Sequence, residues 1–160
     1  MKNSILIILL FSGIFSFAQQ EKITKLLNDQ FKKEQKMYKA DDFDKPKMIQ
    51  PFQIQNDTLS VAFSYQTDEG EIQYFRQVNL KDIKRFEKDM NVLFIAKDGS
   101  VKETILIKKQ DGMIMKTEVN DSHLFFTELR KDFKNKSFQK KITKAFEKVG
   151  YSISGEYWFD

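Results

Sequence analysis

The chain has 160 residues, with 27 Lys and Arg against 23 Asp and Glu, one histidine and no cysteine, for a net charge of +4. That length suits one domain burying roughly two thirds of its unfolded surface, and the composition excludes a disulfide framework, a thiol site and a multi-histidine metal centre. The charge is far below the clustered excess of dedicated nucleic-acid binders, so nucleic acid is not an expected partner.

The N-terminus has the three parts of a secretory signal. Lys2 and the amino group of Met1 supply a positive end. Ile5 to Phe17 is apolar apart from Ser12, Gly13 and Ser16, a run of about a dozen residues. A membrane span needs about 20. Ser16 and Ala18 then put small side chains three and one residues before Gln19, the pattern that a signal peptidase accepts. The expectation is a precursor cleaved after Ala18: 1–18 a signal peptide, 19–160 a single domain, periplasmic or secreted, with no transmembrane span in the mature chain. No cysteine follows the apolar run, which excludes lipid attachment there. Losing Lys2 leaves 26 basic residues against 23 acidic ones, a net +3.

From Glu21 to about Tyr38, Ile23, Leu26, Leu27 and Phe31 recur at helical spacing and predict an amphipathic helix. Asp41, Asp42, Asp44 and Pro46 break it. The period then changes to two. Phe52 and Ile54 alternate with glutamines, Asn56-Asp57 signals a turn, and Leu59, Val61, Phe63 and Tyr65 alternate with smaller or polar residues, predicting strands. Asp68-Glu69-Gly70 turns the chain into Glu71 to Val78, with Ile72, Tyr74 and Val78 on one face. Leu80, Ile83 and Phe86, spaced by three, suit a short helical turn or an irregular connection over 79–88. Val92 to Lys97, Asp98-Gly99 and Val101 to Lys108 predict a hairpin. Asp111-Gly112 repeats the signal before Met113 to Val119, and His123 to Thr127 suits a further strand. Phe138, Ile142, Ala145, Phe146 and Val149 return to the helical period, with Gly150 placed to end the helix. Tyr151 to Asp160 forms an aromatic tail.

A helix, five to seven strands joined by short turns, and a second helix define the α+β class, with an antiparallel β-meander flanked by an N-terminal and a C-terminal helix. A strongly bent sheet closed by the last helix would resemble the pleckstrin-homology-like architecture in element order. Val78 to Phe86 and Ile142 to Gly150 resemble segments of small exported α+β proteins of Gram-negative bacteria. The resemblance implies export and this fold class, and brings no catalytic motif.

The candidates for chemistry are few. Asp121, Ser122 and His123 are the residue types of a catalytic triad, but neighbours in a strand or turn point apart, and turn residues are the simpler account. Asp41, Asp42 and Asp44 cluster carboxylates without the alternating ligands, central glycine and distal glutamate of a calcium loop. The glycines are scattered and form no phosphate loop, so no cofactor is expected. A pair of catalytic carboxylates would converge only in the fold.

Two features remain as a candidate contact surface. Lys140, Lys141, Lys144 and Lys148 lie off the apolar stripe of the last helix and make a cationic face, able to meet an anionic surface or an acidic partner. Tyr157 and Trp158 in the tail would add aromatic contacts if they are exposed. The expected function is therefore a non-enzymatic exported binding or interaction module, for an envelope protein or an anionic surface. A small envelope or secreted hydrolase with a carboxylate site, and an inhibitor or immunity protein, are the alternatives. Mass spectrometry of the protein recovered outside the cytoplasm should find Gln19 as its first residue, and Ala18→Leu should leave the precursor uncleaved. An intact Met1 in the exported protein would contradict the leader assignment.

Overall fold

The computed structural model describes residues 2–39, 42, 44–132 and 134–159, with side chains from Gln19 onward. Helix α1 runs Lys2–Gln35, followed by β1 Lys47–Gln55, β2 Thr58–Thr67 and β3 Gly70–Asn79. A 3-10 turn at Leu80–Asp82 leads to β4 Ile83–Lys88 and β5 Val92–Ala96. Then come β6 Val101–Lys109, β7 Ile114–Ser122, β8 Leu124–Leu129 and helix α2 Lys136–Lys148. The chain is α+β, its strands antiparallel and flanked by the two helices. They form two sheets, one in the order β1-β2-β3-β6-β7 and one in the order β4-β5-β8.

Turn chemistry sets the first hairpins. Asn56 and Asp57 both take positive φ, 49° and 58°, the two-residue loop whose twist matches that of paired strands. At the β2–β3 turn Gly70 has φ 150°, and a Cβ there would lie 2.0 Å from the Lys108 carbonyl oxygen of the neighbouring strand. Only glycine allows that approach.

Ile23, Leu27 and Phe31 from α1, Phe52 and Phe63 from the larger sheet, and Phe86, Phe94 and Phe125 from the smaller one fill a single core with Phe138, Ile142 and Phe146 of α2. Phe63 meets Phe31 at 5.3 Å and Phe52 at 5.8 Å between ring centroids. Phe86 meets Phe94 at 4.6 Å, and Phe94 meets Phe146 at 5.5 Å. Burial of each ring contributes about 1.5–3 kcal/mol, more than the roughly 0.5–1.5 kcal/mol of aromatic pair geometry. Burial therefore decides the fold, and ring geometry refines it.

Three local expectations change. Within 79–88 the short helical turn is there at Leu80–Asp82, but 83–88 is a strand, which makes eight strands among the described residues. Its spacing of three reflects a register shift between Ile83 and Arg85, which lets Ile83 and Phe86 both face the core. Val92–Ala96 and Val101–Lys109 are not a hairpin, since β5 pairs with β4 and β8 while β6 pairs with β3 and β7. Asp98-Gly99 does turn the chain, with Gly99 at φ 68°, but a turn signal does not say which sheet receives the next strand. Finally, α1 starts at Lys2 rather than near Glu21, continuous with the apolar run.

The predicted C-terminal end of the last helix holds. Gly150 adopts φ 88°, its N–H donates to the Glu147 carbonyl, and Tyr151 N–H reaches Phe146 O. The tail then returns along β4: Phe86 N–H donates to Ser154 O at 2.9 Å and Lys88 N–H to Tyr157 O at 3.0 Å.

Candidate functional site

Lys140, Lys141, Lys144 and Lys148 are all exposed on α2, because Phe138, Ile142, Ala145 and Phe146 take the opposite face into the core. Three of the four, Lys141, Lys144 and Lys148, meet Lys22 of α1 around a groove of about 420 Å³ between the two helices. Leu26 and Ala145 form its apolar floor, and no carboxylate belongs to its lining. Among the described residues none of the four lysines is ion-paired. Lys140 is exposed but stands outside the groove. Four ammonium groups over an apolar floor can receive an anionic group on an apolar stem, in a setting that salt weakens.

The aromatic tail divides. Tyr157 is half exposed, with the Arg85 guanidinium 5.9 Å from its ring centroid. Trp158 is buried, stacked at 5.4 Å on Phe86, and its indole N–H donates to Asn135 Oδ1 at 3.0 Å. It therefore leaves the candidate contact surface, because exposure would return its ring to water and leave Asn135 Oδ1, which also accepts from Lys88 Nζ at 3.2 Å, without the indole donor.

Lys22 and Leu26 were within reach of sequence reasoning as α1 positions one helical turn apart on the edge of the apolar stripe. That α1 lies beside α2 was not, because helix pairing leaves no periodic trace.

A second polar cluster lies inside the protein. Arg76 on β3 is 6% exposed, and its guanidinium binds Glu128 Oε1 at 2.5 Å, the Glu103 carboxylate, and the Phe126 carbonyl at 3.0 Å. Glu128 also accepts the Tyr65 hydroxyl and has φ 58°, the left-handed region that a glutamate enters at a cost. Burial opposes the Arg76 charge, but Glu128 and Glu103 outweigh it and hold the guanidinium above its ordinary value. Burial, and then the Glu128 carboxylate, push the Tyr65 phenol up as well. The sequence signal was present: Arg76 sits on the inward side of an alternation that otherwise reads Ile72, Tyr74 and Val78.

These are the carboxylates that converge, yet both are taken up by one guanidinium. The adjoining cavity of about 360 Å³, lined by Gln50, Gln53, Gln55, Ser60, Phe75, Arg76, Gln77 and Lys102 among others, has no acid in its wall. A buried ion pair contributes little net stability, while removing one partner costs about 3–5 kcal/mol. The cluster thus acts as a constraint on how the two sheets meet.

The other candidates do not assemble. Asp121 pairs with Lys102 at 2.7 Å, Ser122 Oγ accepts the Leu124 N–H at 3.0 Å, and the His123 carbonyl accepts from Ala96. Asp42 accepts the Lys39 N–H, which lowers its carboxyl below the usual range with help from Lys131, and Asp44 pairs with Arg130 at 3.1 Å. Asp41 lies outside the described residues, and among the described residues no group of acids or histidine could hold a metal ion.

Compared with family models, with curated proteins and with solved structures, the chain matches none of them.

The pH consequence of the buried cluster has a definite sign. Tyr65 has a higher folded than unfolded pKa, so its contribution is complete below pH about 10 and is lost as pH rises through the folded value. Burial raises Tyr38 and Tyr74 in the same direction. Denaturant unfolding across alkaline pH should show stability falling above pH about 10, with a shallower fall in Tyr65→Phe. An unchanged slope in that variant would contradict the assignment.

Proposed function

We propose that the chain is a non-enzymatic binding module, exported after removal of residues 1–18, whose contact surface is the lysine groove between α1 and α2. Its occupant is an acidic segment of an envelope protein. The observation that carries this reading is the meeting of Lys22, Lys141, Lys144 and Lys148 over Leu26 and Ala145 with no acid in the lining. Like charges gathered on one wall repel, and an anionic partner relieves that repulsion. A recess between two helices favours a protruding chain segment over a flat lipid surface. The floor adds apolar contact that charge alone would not use.

Export is supported by the N-terminal pattern, and among the described residues no helix is long and apolar enough to cross a membrane. The carboxylate hydrolase gains no comparable support, because Glu103 and Glu128 are both bound to Arg76. The inhibitor reading has no feature of its own here.

Lys141→Glu/Lys144→Glu/Lys148→Glu should abolish retention of the partner from envelope fractions and of a poly-glutamate peptide used as probe. Lys140→Glu, outside the groove, should leave both unchanged. Wild-type retention should fall as salt rises. Retention by the triple variant equal to wild type would reject the groove, and binding only to vesicles of anionic lipid would replace the protein partner with a membrane surface.

A further inference from the structure

Among the described residues three of the four sheet edges are partnered or interrupted, and nothing lies along the fourth. On β1, Asn28 of α1 accepts the Phe52 N–H at 3.0 Å and donates to the Phe52 carbonyl at 2.9 Å, while Pro51 and two register shifts interrupt the strand. The edge of β4 is taken by the C-terminal tail through bridges at Ser154 and Trp158. At β8, Arg76 holds the Phe126 carbonyl, and Glu34 accepts the N–H groups of Arg130 and Lys131 just beyond the strand. Among the described residues nothing covers the outer side of β7. Its apolar side chains are also bare, with Ile114 55%, Met115 56% and Val119 71% exposed. A long open edge carrying exposed apolar residues is a template for strand addition.

We propose that β7 pairs antiparallel with β7 of a second copy of this chain, joining two five-stranded sheets into one. The occupant follows from the strand's own sequence, Met115-Lys116-Thr117-Glu118-Val119, which complements itself when reversed. With Thr117 on the two-fold axis, Lys116 stands opposite Glu118 of the second copy, and Glu118 opposite its Lys116. Met115 stands opposite Val119, and Thr117 opposite itself. Lys116 and Glu118 share one face of the strand and pair with each other in the single protomer, so both are already held where a second strand would meet them. The neighbouring registers set either Glu118 or Lys116 against its own copy, and like charges directly opposite are destabilising. The open edge thus selects both a partner and an alignment, and a two-fold interface of this kind closes at two copies.

The test is light scattering or sedimentation equilibrium on the full chain, expressed with its own N-terminal segment and purified from its host. The wild type should reach twice the protomer mass at concentrations up to about 1 mM. Lys116→Glu alone and Glu118→Lys alone should each lose the doubled mass, since each sets like charges opposite. The exchanged variant Lys116→Glu/Glu118→Lys should regain it, as should an equimolar mixture of the two single variants, in which every pair is again opposite in sign. Lys116 is exposed and Glu118 half-buried, and unchanged circular dichroism would separate lost association from lost folding. A wild type that stays at protomer mass, or a doubled mass indifferent to both single reversals, would overturn the proposal. Failure of the exchanged variant or the mixture to recover it would overturn the register.

Discussion

Ile23, Leu27 and Phe31 on one side of α1, with Asn28, Gln30 and Glu34 beside them, bind parts of the chain far apart in sequence. The apolar three cover the inner face of the larger sheet around Phe63. Asn28 completes the hydrogen bonding of β1 at Phe52. Glu34 is 1% exposed and accepts from Arg130 N–H at 2.6 Å, Lys131 N–H at 2.8 Å and Gln30 at 2.9 Å. A carboxylate buried that deeply persists only with such donors, and those backbone groups have no equivalent acceptor if it leaves. Docking of α1 therefore joins the larger sheet to the end of the smaller one. It also holds α1 beside α2, and the lysine groove exists only because the two helices are neighbours.

Charges are paired inside the protein and, as with Lys102 and Asp121, on its surface too, which sets the groove lysines apart. Inside, Arg76 is matched by Glu103 and Glu128, and the buried Asp132 carboxylate is reached by the half-exposed Lys33 and by the Gln30 amide. Burial works against the Asp132 charge, but the Lys33 and Gln30 contacts prevail and keep its carboxyl below the usual range. Among the described residues the groove lysines have no ion pair and the β7 edge has no cover. Surface charge repulsion and an open strand edge both reduce the stability of an isolated protomer, so these two places are where contact with another molecule has most to offer.

Much of the layout was legible because it rests on periodicity and local turn chemistry. The α1 and α2 stripes, the β2 alternation, the turns at Asn56-Asp57 and Asp111-Gly112, and Gly150 as helix terminator are all nearest-neighbour effects. What the sequence hid is non-local. Asp98-Gly99 promises a reversal yet is silent about sheet membership, which depends on β3 offering β6 a free edge. The spacing of Ile83 and Phe86 looks helical until a register shift is allowed. Three of the four groove lysines were visible on α2, whereas Lys22 joined them only through helix packing. Trp158 could dock or project, and the choice fell to the space beside Phe86 and the acceptor that Asn135 offers the indole N–H.

Native-state hydrogen exchange measures the central role of α1 most directly. The amides of Phe52, Arg130 and Lys131, each bound to an α1 side chain, should exchange only through global unfolding, with the same protection free energy as the central amides of β2 and β5. Exchange of these three at a distinctly lower free energy, with the strand centres still protected, would mean that α1 detaches as a separate unit and that the sheets close without it.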